Sequence, residues 1–194
     1  MTGRIHFTLD ATGSRQPSWD FSSSISRSMF DAATGLNVRL VYFRGQDECK
    51  RTPYLTDPAK LKELMGRVEC QPGMTQIRRT MLFAMKDRPD AVIYIGDQIE
   101  DEHVTLRRFA ERMGRERIPM FVFHEKHDRR CQRATATFKA MAKASGGAYI
   151  TFDASAPERL SGVLGSIAVF ATGGRKALEA RGSESDRFLL GHMS

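Results

Sequence analysis

Oxygen-bearing side chains follow the first apolar stretch of the chain, residues 5–9, at alternate positions. They are Asp10, Thr12 and Ser14. In a segment that continues extended from its strand, alternate residues point the same way, so one carboxylate and two hydroxyls can converge on one point. Gly13 between them lets the backbone turn tightly. Hard oxygen ligands of this kind suit Mg²⁺, Mn²⁺ or Ca²⁺ rather than zinc.

A second carboxylate and a third hydroxyl occur in comparable places further along the chain. Asp97 and Gly96 end the continuous apolar run 91–95, and Thr75 stands at the start of a predicted helix after the Gly73 loop. Two carboxylates and three hydroxyls donate little negative charge to a divalent ion, so the ion retains affinity for one more anionic oxygen. A carboxylate of a partner protein can supply that oxygen, which predicts metal-dependent protein binding without catalysis.

The elements that must position these residues are alternating strands and helices. Apolar alternation, or continuous apolar runs, predict strands at 5–9, 38–43, 91–95, 120–123 and 148–152, and helical spacing predicts helices at 21–33, 57–68, 75–85, 101–113, 128–145 and 155–167. This alternation requires right-handed crossovers and a mostly parallel sheet covered on both faces. We therefore predict a doubly wound α/β fold with three α/β/α layers, in which ligands bind beyond the carboxyl ends of the strands.

Local signals mark the ends of several helices. Asp57 followed by Pro58 is typical of a helix start, and Thr75 is a candidate cap for the next helix. Ser155 with Glu158 has the spacing of a capping box.

Two segments carry weaker patterns. The polar stretch 44–56 contains Pro53 and has room for a short edge hairpin. After Gly173 and Gly174 the chain becomes polar, which indicates a short helix or a frayed end. The predicted organisation is therefore one domain over residues 1–172 and a polar tail over 173–194.

The composition is that of an ordinary globular protein. The chain has 194 residues, of which 41% are hydrophobic and 27% charged. No run approaches the roughly 18 apolar residues that span a bilayer, and the first residues lack an apolar signal core, so we expect a cytoplasmic protein without a membrane partner. Three cysteines, Cys49, Cys70 and Cys131, are too few for a disulfide scaffold, although Cys49 and Cys70 flank the uncertain edge segment.

The charge does not indicate a nucleic-acid partner. The formal net charge is +7, but the basic residues are scattered as pairs on predicted helices. No aromatic residues interleave with them as a base-stacking surface would require. We therefore expect no specific nucleic-acid binding, while the charge favours encounters with acidic partners.

The three-loop pattern resembles the von Willebrand factor A domain family. Asp10-x-Thr12-x-Ser14, then Thr75 at a helix start, then Asp97 after an apolar strand, follow the order of that family's metal-ion-dependent adhesion site. The resemblance covers roughly residues 4–170 and is closer to stand-alone bacterial members than to extracellular adhesion domains. It implies that these five residues form a metal shell and that the chain belongs to a larger complex. The one departure from the usual pattern is Thr12 in place of Ser, which keeps the hydroxyl.

A second resemblance suggests an enzyme. Haloacid-dehalogenase-type phosphatases also place a nucleophilic Asp after their first strand, and Asp10 to Ser14 is similar to the Asp-Lys-Thr-Gly-Thr motif of their transport-ATPase relatives. Gly-Asp-x-x-x-Asp matches Asp97 and Asp101, and Lys86 precedes that strand, where the resemblance implies a lysine that offsets the phosphate charge. By this resemblance Asp10 would attack phosphorus in an Mg²⁺-dependent reaction. Against it, Thr12 stands where the acid/base Asp is usual, and a predicted helix follows where a hairpin flap is expected.

Three further residues are candidates for the rim of the metal site. Arg15 and Trp19 follow the first loop, and Glu100 follows Asp97, where it could enter the outer coordination shell. The polar run 124–128 is interpreted as a loop and helix cap rather than a second metal cluster or a rim contact for the ligand, because no Cys or His elsewhere completes a zinc pattern.

Overall fold

The computed structural model describes residues 2–126 and 132–193, except for the side chains of Ser14 and Gln132. Six strands form one sheet: β1 (Gly3–Asp10), β2 (Leu36–Arg44), β3 (Glu48–Arg51), β4 (Ala91–Gly96), β5 (Met120–Glu125) and β6 (Tyr149–Phe152). Their order across the sheet is β3-β2-β1-β4-β5-β6. Every neighbouring pair is parallel except β2 and β3.

Helices cover both faces of this sheet. They are α1 (Gln16–Ile25), α2 (Arg27–Ala32), α3 (Pro58–Gly66), α4 (Ile77–Asp87), α5 (His103–Arg115), α6 (Gln132–Ser145), α7 (Pro157–Arg181) and α8 (Glu184–His192). One core cluster joins the sheet to α1, α2, α3, α7 and α8, and a second joins it to α4, α5 and α6. The predicted three-layer doubly wound fold is thus confirmed.

The central strand β1 is buried on both faces because it lies in the middle of the sheet. Ile5, Phe7 and Leu9 belong to the first core cluster. On the other face His6 and Thr8 are also buried, at 0% and 1% exposure. The apolar–polar alternation therefore does not mark a solvent-exposed face here, and the polar row along β1 ends at Asp10.

Two local predictions are confirmed. Asp57 caps α3, since its side chain accepts a 2.8 Å hydrogen bond from the backbone N–H of Ala59. The polar stretch 44–56 holds β3, which pairs antiparallel with β2 as an edge hairpin.

Other helix boundaries differ from the predictions. The helix expected over 21–33 is two helices, which meet at Ser26. The predicted capping box at Ser155 is wrong: Ala156 occupies the cap position of α7, and the Ser155 hydroxyl donates instead to Asp153, at 2.6 Å. The start of the helix predicted at 128 lies outside the described residues.

Residues 173–193 are mostly helical. Helix α7 continues through a kink at Gly174, where φ is 69°, and α8 begins with a capping box between Ser183 and Asp186. Leu178 and Leu189 are fully buried in the first core cluster. Within the described residues no helix has the length and apolar character required to cross a membrane.

Because Leu189 is fully buried, α8 should contribute to the stability of the whole domain. We expect Leu189→Ala to lower the free energy of unfolding by about 2–4 kcal/mol in a urea titration. The control is Leu82→Ala, because Leu82 is 46% exposed on α4; its effect should stay within about 0.5 kcal/mol. If Leu189→Ala lowers the free energy of unfolding as little as Leu82→Ala does, α8 does not unfold cooperatively with the sheet.

Candidate metal centre

The strand order reverses beside β1, so the topological switch point lies at the carboxyl ends of β1 and β4. Strand β2 lies on one side of β1 and β4 on the other, which is where doubly wound sheets bind ligands. Leu9 is paired with Ile95 in the parallel ladder. Asp10, the last residue of β1, is therefore level with Gly96, the last residue of β4, and Asp97 follows directly.

The first loop leaves one carboxylate oxygen of Asp10 without a partner. Its Oδ1 accepts hydrogen bonds from the backbone N–H of Thr12, at 2.8 Å, and from the Thr12 hydroxyl, at 2.6 Å. Its Oδ2 is buried and has no hydrogen-bond partner. Burial raises the pKa of Asp10 from 3.8 to about 6. An ionised Asp10 at neutral pH therefore lacks a compensating group at Oδ2.

The second loop is fixed against the first by backbone contacts. Gln71 donates from its N–H to the Ala11 carbonyl, at 2.9 Å. Gly73 passes so close to Gly45 that a Cβ there would lie 1.9 Å from the Gly45 carbonyl oxygen, so only glycine permits this crossing. The loop then delivers Thr75 to the same edge of the sheet.

Thr75 is joined to the third loop, which follows β4. Its N–H donates to the Glu100 carboxylate, at 2.6 Å, and its hydroxyl accepts from the Glu100 N–H, at 2.7 Å. The same hydroxyl donates to Asp101, at 3.1 Å. A hydroxyl oxygen accepts twice, so Thr75 Oγ1 retains one lone pair for a further contact.

The prediction that Thr75 caps α4 is wrong. Gln76 holds the cap position and makes no capping bond. The orphan N–H groups of Ile77 and Arg78 donate instead to the Asp101 carboxylate, at 2.9 and 3.2 Å. A carboxylate from the third loop thus caps the helix.

A buried ion pair lies beside Asp97. Arg15 is 2% exposed, and its Nη1 is 2.5 Å from Glu125 Oε2 and 3.8 Å from Asp97 Oδ2. The Ser18 hydroxyl donates to the same Glu125 oxygen. Arg15 therefore lies inside the site rather than on an exposed rim. Glu125 was predicted to lie in a polar loop, which is wrong: it ends β5 and so reaches the same edge of the sheet.

Of the other two residues predicted at the rim of the site, Trp19 is buried and Glu100 is exposed. Trp19 is buried, and its indole N–H donates to the Met65 carbonyl at 3.0 Å; because it packs edge-on against Tyr42, it belongs to the core and not to a rim. Glu100 is exposed, and its carboxylate holds the Thr75 backbone.

His124 supports the backbone of the third loop. It is fully buried, with Nε2 3.0 Å from the Asp97 carbonyl and Nδ1 2.8 Å from the Tyr149 hydroxyl. A carbonyl only accepts, so Nε2 carries the proton and Nδ1 accepts from Tyr149. Burial lowers the pKa of His124, which keeps the ring neutral. The cap predicted at Asp128 lies outside the described residues.

The donors at this edge suit a hard divalent ion. Asp10 Oδ2 lacks a partner, and Thr12 Oγ1, which donates its proton to Asp10, keeps lone pairs free. The carboxylates of Asp10, Asp97 and Glu125 with the guanidinium of Arg15 carry a net charge of −2. The described residues contain no group of three or more His, Cys, Asp and Glu side chains suited to a metal, so an ion here depends on hydroxyl ligands. The Ser14 side chain lies outside the description.

Lys86 lies far from this edge. It is in the last turn of α4, next to Asp87, whose backbone carbonyl accepts from the Arg4 side chain near the start of β1. Asp10 is at the other end of that strand, which is eight residues long and so extends over roughly 25 Å. Lys86 therefore cannot offset the charge of a group bound at Asp10.

Comparison with known proteins by sequence gives no match, either to protein-family descriptions or to curated proteins. Solved structures do match. The BatB protein of Bacteroides thetaiotaomicron is 17% identical with a TM-score of 0.63, over 82% of this chain and 95% of that one. The VWA domain of SpRpn10 is 11% identical with a TM-score of 0.61, over the same shares.

A metal-containing structure is also similar. Proximal thread matrix protein 1 of the mussel byssus, with its MIDAS motif occupied by zinc, is 13% identical. Its TM-score is 0.65, over 86% of this chain and 46% of that protein. Identities this low establish the fold alone. Together with the strand order, they show that this chain has the fold of a von Willebrand factor A domain.

Proposed function

We propose that the protein is a divalent-metal-dependent protein-binding module. Asp10, Thr12, Ser14, Thr75 and Asp97 would hold the ion. The observation that carries this proposal is the buried Oδ2 of Asp10, which has no hydrogen-bond partner although it lies at the ligand-binding edge of the sheet. A buried carboxylate oxygen in this state is costly, and a cation would remove the cost.

Mg²⁺ or Mn²⁺ fits the donor set better than Ca²⁺. Mg²⁺ requires six oxygen ligands, whereas Ca²⁺ takes six to eight. Five protein oxygens, three of them from neutral hydroxyls, leave one of six positions open for an oxygen from outside the chain. When bound, the ion would supply a Lewis-acidic position for an acidic side chain of a partner protein.

The surface around the site suits a protein partner. Met74, which directly precedes Thr75, is 51% exposed, and Val104, in the first turn of α5, is 55% exposed. Methionine is enriched in the cores of protein interfaces. We propose that the module works in the cytoplasm as a component of a larger complex.

The phosphatase alternative has less support. Lys86 lies near the start of β1, at the opposite end of the strand from Asp10. After Asp10 the chain enters a 3₁₀ turn, Gly13–Arg15, and then α1, where the phosphatase family would place a hairpin. Position 12 carries a hydroxyl rather than a carboxylate, which suits coordination better than proton transfer.

The Thr75 hydroxyl should be required for tight metal binding. We expect Thr75→Val to weaken Mn²⁺ binding by about 10- to 100-fold, measured by isothermal titration calorimetry. Thr75→Ser restores the hydroxyl and should bind within about threefold of the unaltered protein. If both variants bind Mn²⁺ as tightly as the unaltered protein, Thr75 has only a structural role through Glu100 and Asp101.

Partner capture tests the function itself. The full chain is immobilised and exposed to lysate of its own organism, with Mg²⁺ or with EDTA. We expect a protein that is retained only with Mg²⁺ and that is lost with Asp97→Asn. Retention that is indifferent to both EDTA and Asp97→Asn would contradict a metal-dependent module.

A further inference from the structure

A buried guanidinium within a metal site is unusual, because it places a cation where a cation should bind. The Arg15 side chain is 3% exposed and occupies the cap position of α1. The helix dipole disfavours positive charge at that end. Its Nε is also buried without a hydrogen-bond partner. Acidic neighbours must therefore hold this side chain in place.

The guanidinium is shared unequally between two carboxylates. Nη1 lies 2.5 Å from Glu125 Oε2, which is a direct charge-assisted hydrogen bond. The distance from the same nitrogen to Asp97 Oδ2 is 3.8 Å, an ion pair without a hydrogen bond. Ser18 donates to the Glu125 oxygen and fixes its position. Glu125 thus anchors Arg15, while Asp97 interacts with it through charge alone.

We propose that Arg15 is an internal counter-cation that competes with the divalent ion for Asp97, and that Glu125 holds Arg15 aside when the ion is bound. This inference rests on the proposed function and names how the same site is regulated. The ion takes the Asp97 oxygen, and the guanidinium keeps its hydrogen bond to Glu125. Arg15 and Glu125 are then positioning residues, neither of which contacts the metal.

The charges of the site predict opposite effects on metal affinity when Arg15 and Glu125 are substituted. Asp10, Asp97, Glu125 and Arg15 sum to −2, which a divalent ion neutralises. Removal of the Arg15 charge gives −3 and takes away the cation beside Asp97, so metal binding should tighten. Removal of the Glu125 charge gives −1 and leaves Arg15 with Asp97 as its nearest carboxylate, so metal binding should weaken. A residue that only supports the fold would weaken binding in both variants.

The test is Mn²⁺ titration calorimetry on the full chain at pH 7.5. We expect about tenfold tighter binding for Arg15→Gln and about tenfold weaker binding for Glu125→Gln. The double variant should return towards the unaltered affinity, because both members of the pair are absent. Matched controls are Arg27→Gln, whose side chain is 74% exposed, and Glu63→Gln, at 42%.

Each outcome decides the inference. Unchanged or weaker binding by a folded Arg15→Gln overturns it, as does unchanged or tighter binding by Glu125→Gln. If Arg15→Gln does not fold, Glu125→Gln decides alone, with Arg15→Lys expected not to tighten binding because it keeps the charge.

The same titration distinguishes a failure of the proposed function from a failure of this inference. If the unaltered protein binds Mn²⁺ and the two variants match it, only the competition is wrong. If the unaltered protein does not bind but Arg15→Gln does, Arg15 blocks the site: the inference holds and the metal-dependent function does not. Absence of binding in both proteins overturns both proposals.

Discussion

Asp10→Asn should abolish divalent-metal binding, with an affinity loss of at least about 100-fold in a Mn²⁺ titration. The substitution keeps the size of the side chain and an acceptor for the two hydrogen bonds from Thr12. It replaces the unpartnered Oδ2 with an amide nitrogen, which cannot bind a cation, and removes a negative charge from a buried position.

Asp20→Asn is the matched control, because Asp20 is an exposed residue of α1 that accepts a hydrogen bond from Gln16. We expect its Mn²⁺ affinity to equal that of the unaltered protein. If Asp10→Asn still binds Mn²⁺ within a few fold, the ion lies somewhere else.

The second large effect is a pH dependence of stability that bound metal should cancel. In the folded protein burial raises the pKa of Asp10 from 3.8 to about 6. Well below pH 3.8 the carboxyl is protonated in both the folded and unfolded states, so it does not affect the free energy of unfolding. Above pH 6 the folded state carries the buried charge, and a pKa rise of this size corresponds to about 3 kcal/mol of lost stability. Without metal, stability should therefore fall as pH rises from 4 to 7.

Other carboxyl groups act in the opposite sense, so Asp10→Asn serves as the reference. Asp186, for example, has a lowered pKa because of its bonds to Arg181 and Ser183, and its contribution is lost as pH falls. The difference in unfolding free energy between the unaltered protein and Asp10→Asn isolates position 10. In EDTA we expect that difference to move by about 2 kcal/mol against the unaltered protein between pH 4 and 7, because the unfolded carboxyl is already partly ionised at pH 4.

Saturating Mg²⁺ should largely cancel this trend, because the ion binds the ionised carboxylate. An ion at 100 times its Kd adds about 2.7 kcal/mol to the stability of the folded state, and protonation of Asp10 removes that gain as pH falls through about 6. Urea titrations at pH 4, 5, 6 and 7, with EDTA or Mg²⁺, measure both effects. A pH profile that is the same with and without Mg²⁺ would contradict metal binding by Asp10.

The order of the elements was predictable from the sequence because local hydrophobic patterns identify each strand and helix, and their order restricts the possible topologies. Apolar runs of strand length separated by helical periodicity allow few arrangements. The position of Asp10 at the carboxyl end of a central strand follows from that topology. Asp57 was also predictable as a cap, since the cap and the N–H that it binds lie two residues apart.

Contacts between distant segments were not predictable in this way. Arg15 and Glu125 are 110 residues apart, and neither has a local pattern that indicates the other. Asp101 caps α4 from the third loop, so Thr75, the local candidate, has a hydroxyl available for other contacts. Burial of Trp19 depends on Met65 and Tyr42, which belong to different elements.

The sequence of the C-terminal segment contains a local signal for a helix start. Ser183 and Asp186 have the spacing of a capping box, and Leu189 follows on the buried face of the helix that they begin. Composition alone made this segment resemble a polar tail. The spacing of a few specific residues, rather than the fraction of polar ones, determined that it is helical.

The most direct test of the account is a crystal structure of the protein grown with Mn²⁺, in which anomalous scattering locates the ion. We predict one ion at the carboxyl ends of β1 and β4, within about 2.2 Å of oxygens from Asp10, Thr12 and Ser14, with Thr75 and Asp97 completing the shell directly or through water. An ion bound elsewhere, or an Arg15 guanidinium within hydrogen-bond distance of Asp10 Oδ2 at saturating Mn²⁺, would contradict it.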